Sequence, residues 1–282
     1  MPRRVWRPIL LFYGLACAGS WAIWSPYYLP VNVPVSQLPY VHGLGSLGPM
    51  LAALVLIRHQ TGTTGLRRLL KPALDHRSVR WLAVGALSPV AVLLGVVGLT
   101  YLTQRQLPGG PGLSAAPEFA SFPAWAVVFV NLFCFGFGEE VGWRGYVLPR
   151  LQTRFSAFTA NLILTGGWAV WHWPLFFNPL GSLGQMSFGE GIGWLVSLAT
   201  GGLLFTGLFN ASRGNWAACA LFHGSMDLVF LADLGLPAAS RYTGAIITLG
   251  GLFVWFAYGR DSLSDQPRVV EKSVPSKSTV RA

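Results

Sequence analysis

The chain has 282 residues, of which 52% are apolar and 11% charged, with a mean hydropathy of +0.50. Soluble domains carry about 25% charged residues, so the composition excludes an ordinary soluble protein and indicates an integral membrane protein. The net charge of +10 does not indicate nucleic-acid binding, because the basic residues form no stripe interleaved with aromatic residues on a soluble fold. Basic residues that flank membrane spans account for this charge.

Eight apolar segments are candidates for membrane-spanning helices, each of which needs about 20 mostly apolar residues. The second is short and rich in glycine, and the fourth reaches full length only if its helix continues through the EEVGWR sequence at 139–144. The sequence therefore predicts an all-α, polytopic fold of about eight spans. These spans lie at about 8–28, 40–57, 81–103, 122–138, 158–177, 191–209, 214–232 and 242–258.

The distribution of basic residues predicts the orientation of these spans. All of the 20 Lys and Arg residues except Arg105 and Arg241 fall at the termini or in alternate connections. Because cytoplasmic connections carry the excess of Lys and Arg, we expect both termini to be cytoplasmic, in the cell membrane. We predict one membrane domain over residues 1–258, followed by a polar, disordered cytoplasmic tail over 259–282.

Two connections have distinctive compositions. Residues 67–81, RRLLKPALDHRSVRW, interleave basic residues with Leu and Trp, which is typical of an interfacial amphipathic segment. Residues 107–123 are rich in Gly and Pro and are predicted to form an outer loop.

Six ionisable residues lie inside the apolar segments or at their edges, in three clusters. A charge in mid-bilayer costs at least about 2.5–3.5 kcal/mol, so six of them indicate a function. They could instead pair with one another only to lock the helices together, but this explains two histidines poorly. The six are Glu139, Glu140, Arg144, His172, His223 and Asp227.

The spacing within the first cluster separates its two carboxylates. Glu140 and Arg144 are four residues apart, in the order that favours a helical ion pair. Glu139 points about 100° away from Glu140 on a helix. Glu139 is therefore the carboxylate left for chemistry.

The other two clusters add histidines. His223 and Asp227 are four residues apart and share a helix face, and His172 precedes Pro174 by two residues, close to a kink or helix end. A carboxylate with histidines in a partly dry site can activate water as a general base, or can bind a metal ion that does so.

The three clusters, in this order, resemble the family of CAAX prenyl proteases and bacteriocin-processing intramembrane proteases. The matching sequences are EEVGWR at 139–144, WAVWH at 168–172 and HGSMD at 223–227, within a motif-bearing core of about 120–235. The resemblance implies eight helices around an intramembrane polar cavity. It also implies hydrolysis of a peptide bond near the terminus of a membrane-embedded or lipidated substrate. The composition adds the lipid bilayer as the other partner and predicts no nucleic acid.

The resemblance also assigns a role to each residue. A water molecule would be activated by Glu139 with the help of His172, and the site would be braced by Glu140 and Arg144. The tetrahedral oxyanion would be stabilised by His223 and Asp227.

Two positions depart from the family pattern. Trp168 replaces the usual Phe, which is a tolerable change, and Asp227 stands where the prenyl proteases carry Asn. A carboxyl group can donate to an oxyanion only when it is protonated; alternatively, Asp227 helps His223 hold a divalent metal ion. The site then has either no cofactor or one Zn²⁺, with metal-ligand candidates His172, His223, Glu139 and Asp227.

Two other functions remain open from the sequence. Intramembrane Glu, His and Asp residues also form proton relays, so the chain could be a proton-coupled transporter, although the sequence shows no related halves of the kind that transporters often have. It could also be a non-catalytic immunity or scaffold protein that binds a membrane partner.

Overall fold

The computed structural model describes residues 3–75, 79–109, 117–232 and 239–271. Within these residues all regular structure is helical, which confirms the all-α prediction. The main helices are α1 Arg3–Ile23, α2 Leu38–Gly45, α3 Gly48–Leu74, α4 Val79–Gln104, α5 Ala124–Leu151, α6 Ala157–Trp171, α7 Phe188–Ala211, α8 Trp216–Leu231 and α9 Ala239–Ser262.

Each predicted span coincides with a helix, except that the second is shared by α2 and α3. Five helical segments of the described chain are long and apolar enough to cross a membrane: Val35–Leu74, Val79–Gln104, Ala124–Leu151, Phe188–Ala211 and Ala239–Ser262. Helices α6 and α8 are shorter, with 15 and 16 residues. The protein is thus a polytopic membrane protein, and the count of eight spans stays a prediction.

The outer surface of the helices is apolar. Leu94 and Leu102 on α4 and Phe253 and Phe256 on α9 are each about two-thirds exposed or more. Soluble proteins rarely expose contiguous apolar surface on this scale, and lipid solvates it. Several polar side chains are instead buried between the helices.

Helix α5 continues through the first motif, EEVGWR at 139–144. The predicted fourth span, at 122–138, needs this continuation to reach full length. Its helical geometry alternates along its length, because Val130–Phe137 and Trp143–Val147 are π-helical and flank an α-helical turn at Gly138–Gly142. Such π-helical segments are rare and often occur at functional sites. They set the directions in which the two glutamates of the intervening turn point.

Glycines bring α5 and α8 into close contact. A Cβ atom on Gly224 would lie 2.5 Å from the carbonyl oxygen of Asn131, and one on Gly136 would clash with the carbonyl oxygen of Ala220. Small residues at helix interfaces in membranes allow such backbone approach. The approach holds the first and third motifs side by side.

The predicted interfacial segment at 67–81 begins beyond a break in α3. Gly62 adopts φ 62° and ψ −153°, a conformation that glycine accepts without a steric cost, and it separates the basic end of α3 from the rest. Residues 76–78 lie outside the described residues, and the interfacial location stays a prediction.

The end of the chain differs from the predicted disordered tail at 259–282. Helix α9 reaches Ser262, and the chain then folds back onto the helices as far as Glu271; Leu263 is 1% exposed. Residues 272–282 lie outside the described residues. The prediction of disorder is therefore wrong for 259–271.

Buried amides hold this returning segment. The backbone N–H of Val269 donates to Oδ1 of Asn210 at 2.9 Å, and its carbonyl accepts from Nε2 of Gln152 at 2.8 Å. The N–H of Glu271 donates to the carbonyl of Pro149 at 3.0 Å. Backbone polar groups satisfied in this way help to hold this largely polar segment in place, together with the buried side chain of Leu263.

Candidate active site

The first and third motifs meet at one carboxylate oxygen. Oε1 of Glu140 accepts from Nη1 of Arg144 at 2.7 Å and lies 3.0 Å from Nδ1 of His223. Glu140 and Arg144 have no exposed surface, and His223 is 8% exposed. The predicted pairing of Glu140 with Arg144 is confirmed, and the structure adds the histidine of α8 to it.

Aromatic rings cover the rest of the Arg144 guanidinium. Its Cζ lies 4.2 Å from the ring centroid of Phe205 on α7 and 5.0 Å from that of Trp168 on α6. Nε and Nη2 of Arg144 have no hydrogen-bond partner among the described residues, so the rings supply their contacts through cation–π attraction. Nothing in the pattern of motifs singled out Phe205.

Glu139 points away from the Glu140–Arg144 pair, as the helical spacing predicts. Its Oε2 accepts from Nε1 of Trp168 at 2.7 Å and from Nε1 of Trp143 at 3.4 Å. Glu139 is 4% exposed. This carboxylate is thus buried beside two indole N–H groups and has no basic partner within ion-pair distance among the described residues.

His172 lies at the C-terminal end of α6, as its position before Pro174 predicts. Its Nδ1 donates to the carbonyl of Trp168 at 2.8 Å, so the neutral ring has its acceptor at Nε2. The rings of Trp171 and Trp194 pack edge-on against it at 4.8 and 5.6 Å. Trp168 therefore contacts His172 through its backbone carbonyl and through its ring, whose centroid lies 5.6 Å from that of the imidazole. Its indole N–H contacts Glu139.

Asp227 is partly exposed. Its Oδ2 lies 3.7 Å from Nε2 of His223, within ion-pair distance but beyond a good hydrogen bond, and 29% of its side chain is exposed. Each ring nitrogen of His223 thus faces a carboxylate oxygen, one from Glu140 and one from Asp227.

The described residues do not form a ready metal centre. No three His, Cys, Asp or Glu side chains among them converge as a metal site. Of the four candidate ligands, His223 has a carboxylate at each nitrogen, and the carboxylate of Glu139 is directed at two indoles. The geometry therefore does not fit the zinc alternative.

A second buried polar cluster lies outside the three motifs. Nδ1 of His42 on α2 lies 3.1 Å from both carboxylate oxygens of Glu118, and Nδ2 of Asn178 donates to Oε1 of the same carboxylate at 2.9 Å. Glu118 is 4% and Asn178 1% exposed. The predicted outer loop thus contributes a buried acid that joins α2 to the segment after α6.

This cluster is close to the site. The His42 ring packs at 4.7 Å against Phe135 of α5, four residues before Glu139. Sequence reasoning missed it, although His42 lies inside the predicted span at 40–57. Its position inside a span could have identified it, because an ionisable side chain in the membrane region indicates a function in the same way as the six motif residues do.

Comparison with known proteins agrees with the three motifs. Residues 121–229 match the family model of type II CAAX prenyl endopeptidases, Rce1-like. The matched range contains all six residues of the motifs.

A curated relative is CAAX prenyl protease 2 from Methanococcus maripaludis. The two chains are 28% identical over 153 residues, which cover 53% of this chain and 54% of the relative. The match thus spans about half the length of the relative.

Proposed function

We propose that this chain, which belongs to the CAAX prenyl protease and bacteriocin-processing family, is an intramembrane endopeptidase. Its substrate would be a membrane-embedded or lipidated peptide or protein, cleaved near a terminus. The observation that carries the proposal is the convergence at Glu140, where one buried oxygen contacts both Arg144 and His223. Trp168 links the other two residues, because its indole N–H donates to Glu139 and its carbonyl accepts from His172.

Glu139 would act as the general base. Oε2 is bonded to the indoles, so Oε1 is the oxygen that would take a proton from water, with Nε2 of His172 as a second acceptor for the same water. The hydroxide attacks the scissile carbonyl, and the proton on Glu139 passes to the leaving amine when the tetrahedral intermediate collapses.

His223 and Asp227 would stabilise the oxyanion of that intermediate. A positioned donor of this kind is worth about 10²–10³ in kcat. Glu140 holds the imidazole by its Nδ1, and Nε2 faces Asp227. Because a neutral ring that donates from Nδ1 has its acceptor at Nε2, His223 would donate to the oxyanion from Nε2 in its protonated form. Glu140 would thus orient a catalytic histidine as well as neutralise Arg144.

Cleavage by the purified protein tests the proposal. The wild type, reconstituted in lipid vesicles, is incubated with peptides that carry or lack a C-terminal prenyl group, and the products are identified by mass spectrometry. We expect cleavage near the terminus by the wild type and none by Glu139→Gln. Asp261→Asn, which removes an exposed carboxylate at the end of α9, serves as the control and should cleave normally.

The transporter and scaffold alternatives predict a different result. Under either of them the wild type cleaves no peptide of the set, or Glu139→Gln makes the same products at the same rate. Each of these outcomes contradicts the proposed endopeptidase.

A further inference from the structure

We propose that Trp168 is a positioning residue for Glu139: its indole N–H fixes Oε2 and thereby selects Oε1 as the atom that accepts the proton from water. The inference rests on the proposed function. It concerns the position at which this chain departs from the Phe usual in the family it resembles.

The hydrogen bond between these residues is short and buried. Nε1 of Trp168 lies 2.7 Å from Oε2 of Glu139, and both residues are 4% exposed. A bond between an N–H group and a charged acceptor is about twice as strong as a neutral one. A buried indole N–H also needs a partner, so both groups gain from this contact.

The indole ring is itself held from several sides. The guanidinium of Arg144 lies over it at 5.0 Å, and the rings of His223 and Phe205 pack edge-on against it at 5.4 and 6.1 Å. A donor fixed in this way leaves the carboxylate little freedom to rotate. Phenylalanine could keep much of this packing, but it has no N–H group to donate.

Trp143 supports the same oxygen more weakly. Its Nε1 lies 3.4 Å from Oε2 of Glu139, which is beyond the usual range of 2.7–3.2 Å for such bonds. Both indole N–H groups therefore point at Oε2, whereas Oε1 accepts no hydrogen bond from the described residues. The asymmetry distinguishes the two carboxylate oxygens before any substrate binds.

The side chain of Trp168 can be tested apart from its backbone. His172 bonds to the carbonyl of residue 168, and this bond does not depend on the side chain there. Trp168→Phe thus removes the donor to Glu139, leaves this backbone bond in place and keeps an aromatic ring beside the imidazole of His172, whose centroid lies 5.6 Å from that of the indole.

The kinetic test compares three tryptophan variants on a cleaved peptide. Trp168→Phe should lower kcat by about 10- to 100-fold, the effect of losing one hydrogen bond to a charged group, and should leave KM within about twofold. Trp143→Phe should show a smaller loss of kcat. Trp216→Phe removes an indole bond of 2.8 Å to the carbonyl of Leu69, which involves none of the six motif residues, and should keep kcat.

A measurement without substrate tests the bond itself. The 12 tryptophans are labelled with ¹⁵N in the full chain, and the indole signals of the wild type and Glu139→Gln are compared. Loss of the carboxylate charge should move the proton signals of Trp168 and Trp143 upfield, with Trp168 moving most. Trp143→Phe removes one of these two signals and so assigns the pair, even if Trp168→Phe does not fold.

The two tests separate this inference from the proposed function. Unmoved indole signals in Glu139→Gln overturn the positioning role whether or not the wild type cleaves peptides. Equal kcat for wild type and Trp168→Phe overturns it while leaving the endopeptidase intact. Moved signals in a protein that cleaves nothing confirm the hydrogen bond but overturn its role in catalysis together with the proposed function.

Discussion

Nδ1 of His223 lies 3.0 Å from Oε1 of Glu140, so the carboxylate of one motif holds the histidine of another. The same oxygen accepts from Arg144. The buried carboxylate of Glu140 therefore holds two side chains, those of Arg144 and His223. Among the described residues, the carboxylate of Glu139 accepts hydrogen bonds only from indole N–H groups. The two adjacent glutamates have different environments, and this difference has measurable consequences.

We expect Glu140→Gln to lower both stability and activity. Breaking a buried ion pair typically costs about 3–5 kcal/mol, because Arg144 keeps its charge without a counter-ion. Thermal unfolding in detergent should show a clear fall in Tm for Glu140→Gln and a small change for Glu139→Gln. A Tm for Glu140→Gln equal to that of the wild type would show that the pair contributes nothing to stability.

Asp227→Asn should keep activity. The amide supplies a permanent N–H donor beside His223, where Asp227 can donate only when protonated. Activity is measured across pH together with the metal content of the wild type and the variant. One tightly bound zinc per wild-type chain, combined with an inactive Asn variant, would instead make Asp227 part of a metal site.

Both ends of the chain should be cytoplasmic. The charge distribution motivates this orientation, since connections rich in Lys and Arg stay inside. Reporter fusions at residues 112 and 184 should report outside, and fusions at residue 70 and at the C-terminus inside. A C-terminal reporter found outside would remove one span from the prediction.

The returning segment at 263–271 should stabilise the helices. Asn210→Ala removes the acceptor of the Val269 N–H and a partner of Gln152, and each buried group left unpaired costs about 1–3 kcal/mol. The variant should melt at a lower temperature and be cut faster by trypsin at Arg268. Gln266→Ala, which removes two exposed bonds, to Arg213 and to Asp265, should behave as the wild type. Equal behaviour of Asn210→Ala would argue against a stabilising segment.

Glu118 should hold the connection at 117–123 in place. Glu118→Ala leaves His42 and Asn178 without their shared acceptor, so we expect faster hydrogen exchange at 117–123. Glu190→Ala, at an exposed helix start, is the control for loss of an acid. Unchanged exchange at 117–123 in Glu118→Ala would mean that other contacts fix this connection.

The spacing of residues along the sequence was sufficient to predict the contacts within a single helix. The apolar composition identified a membrane protein, and the separation of four residues predicted the pair of Glu140 and Arg144, because the helical repeat places those side chains on one face. Glu139 points away from this pair for the same reason. The three motifs also named six residues that lie within the matched family segment at 121–229.

Contacts between helices were decided only by the tertiary structure. The sequence did not place His223 against Glu140, because their distance depends on glycine contacts such as Gly224 against Asn131. It did not show that Trp168 would donate to Glu139, since π-helical turns in α5 set that direction. It also predicted disorder at 259–271, because a polar composition does not reveal that buried amides elsewhere in the chain will satisfy the backbone of the segment.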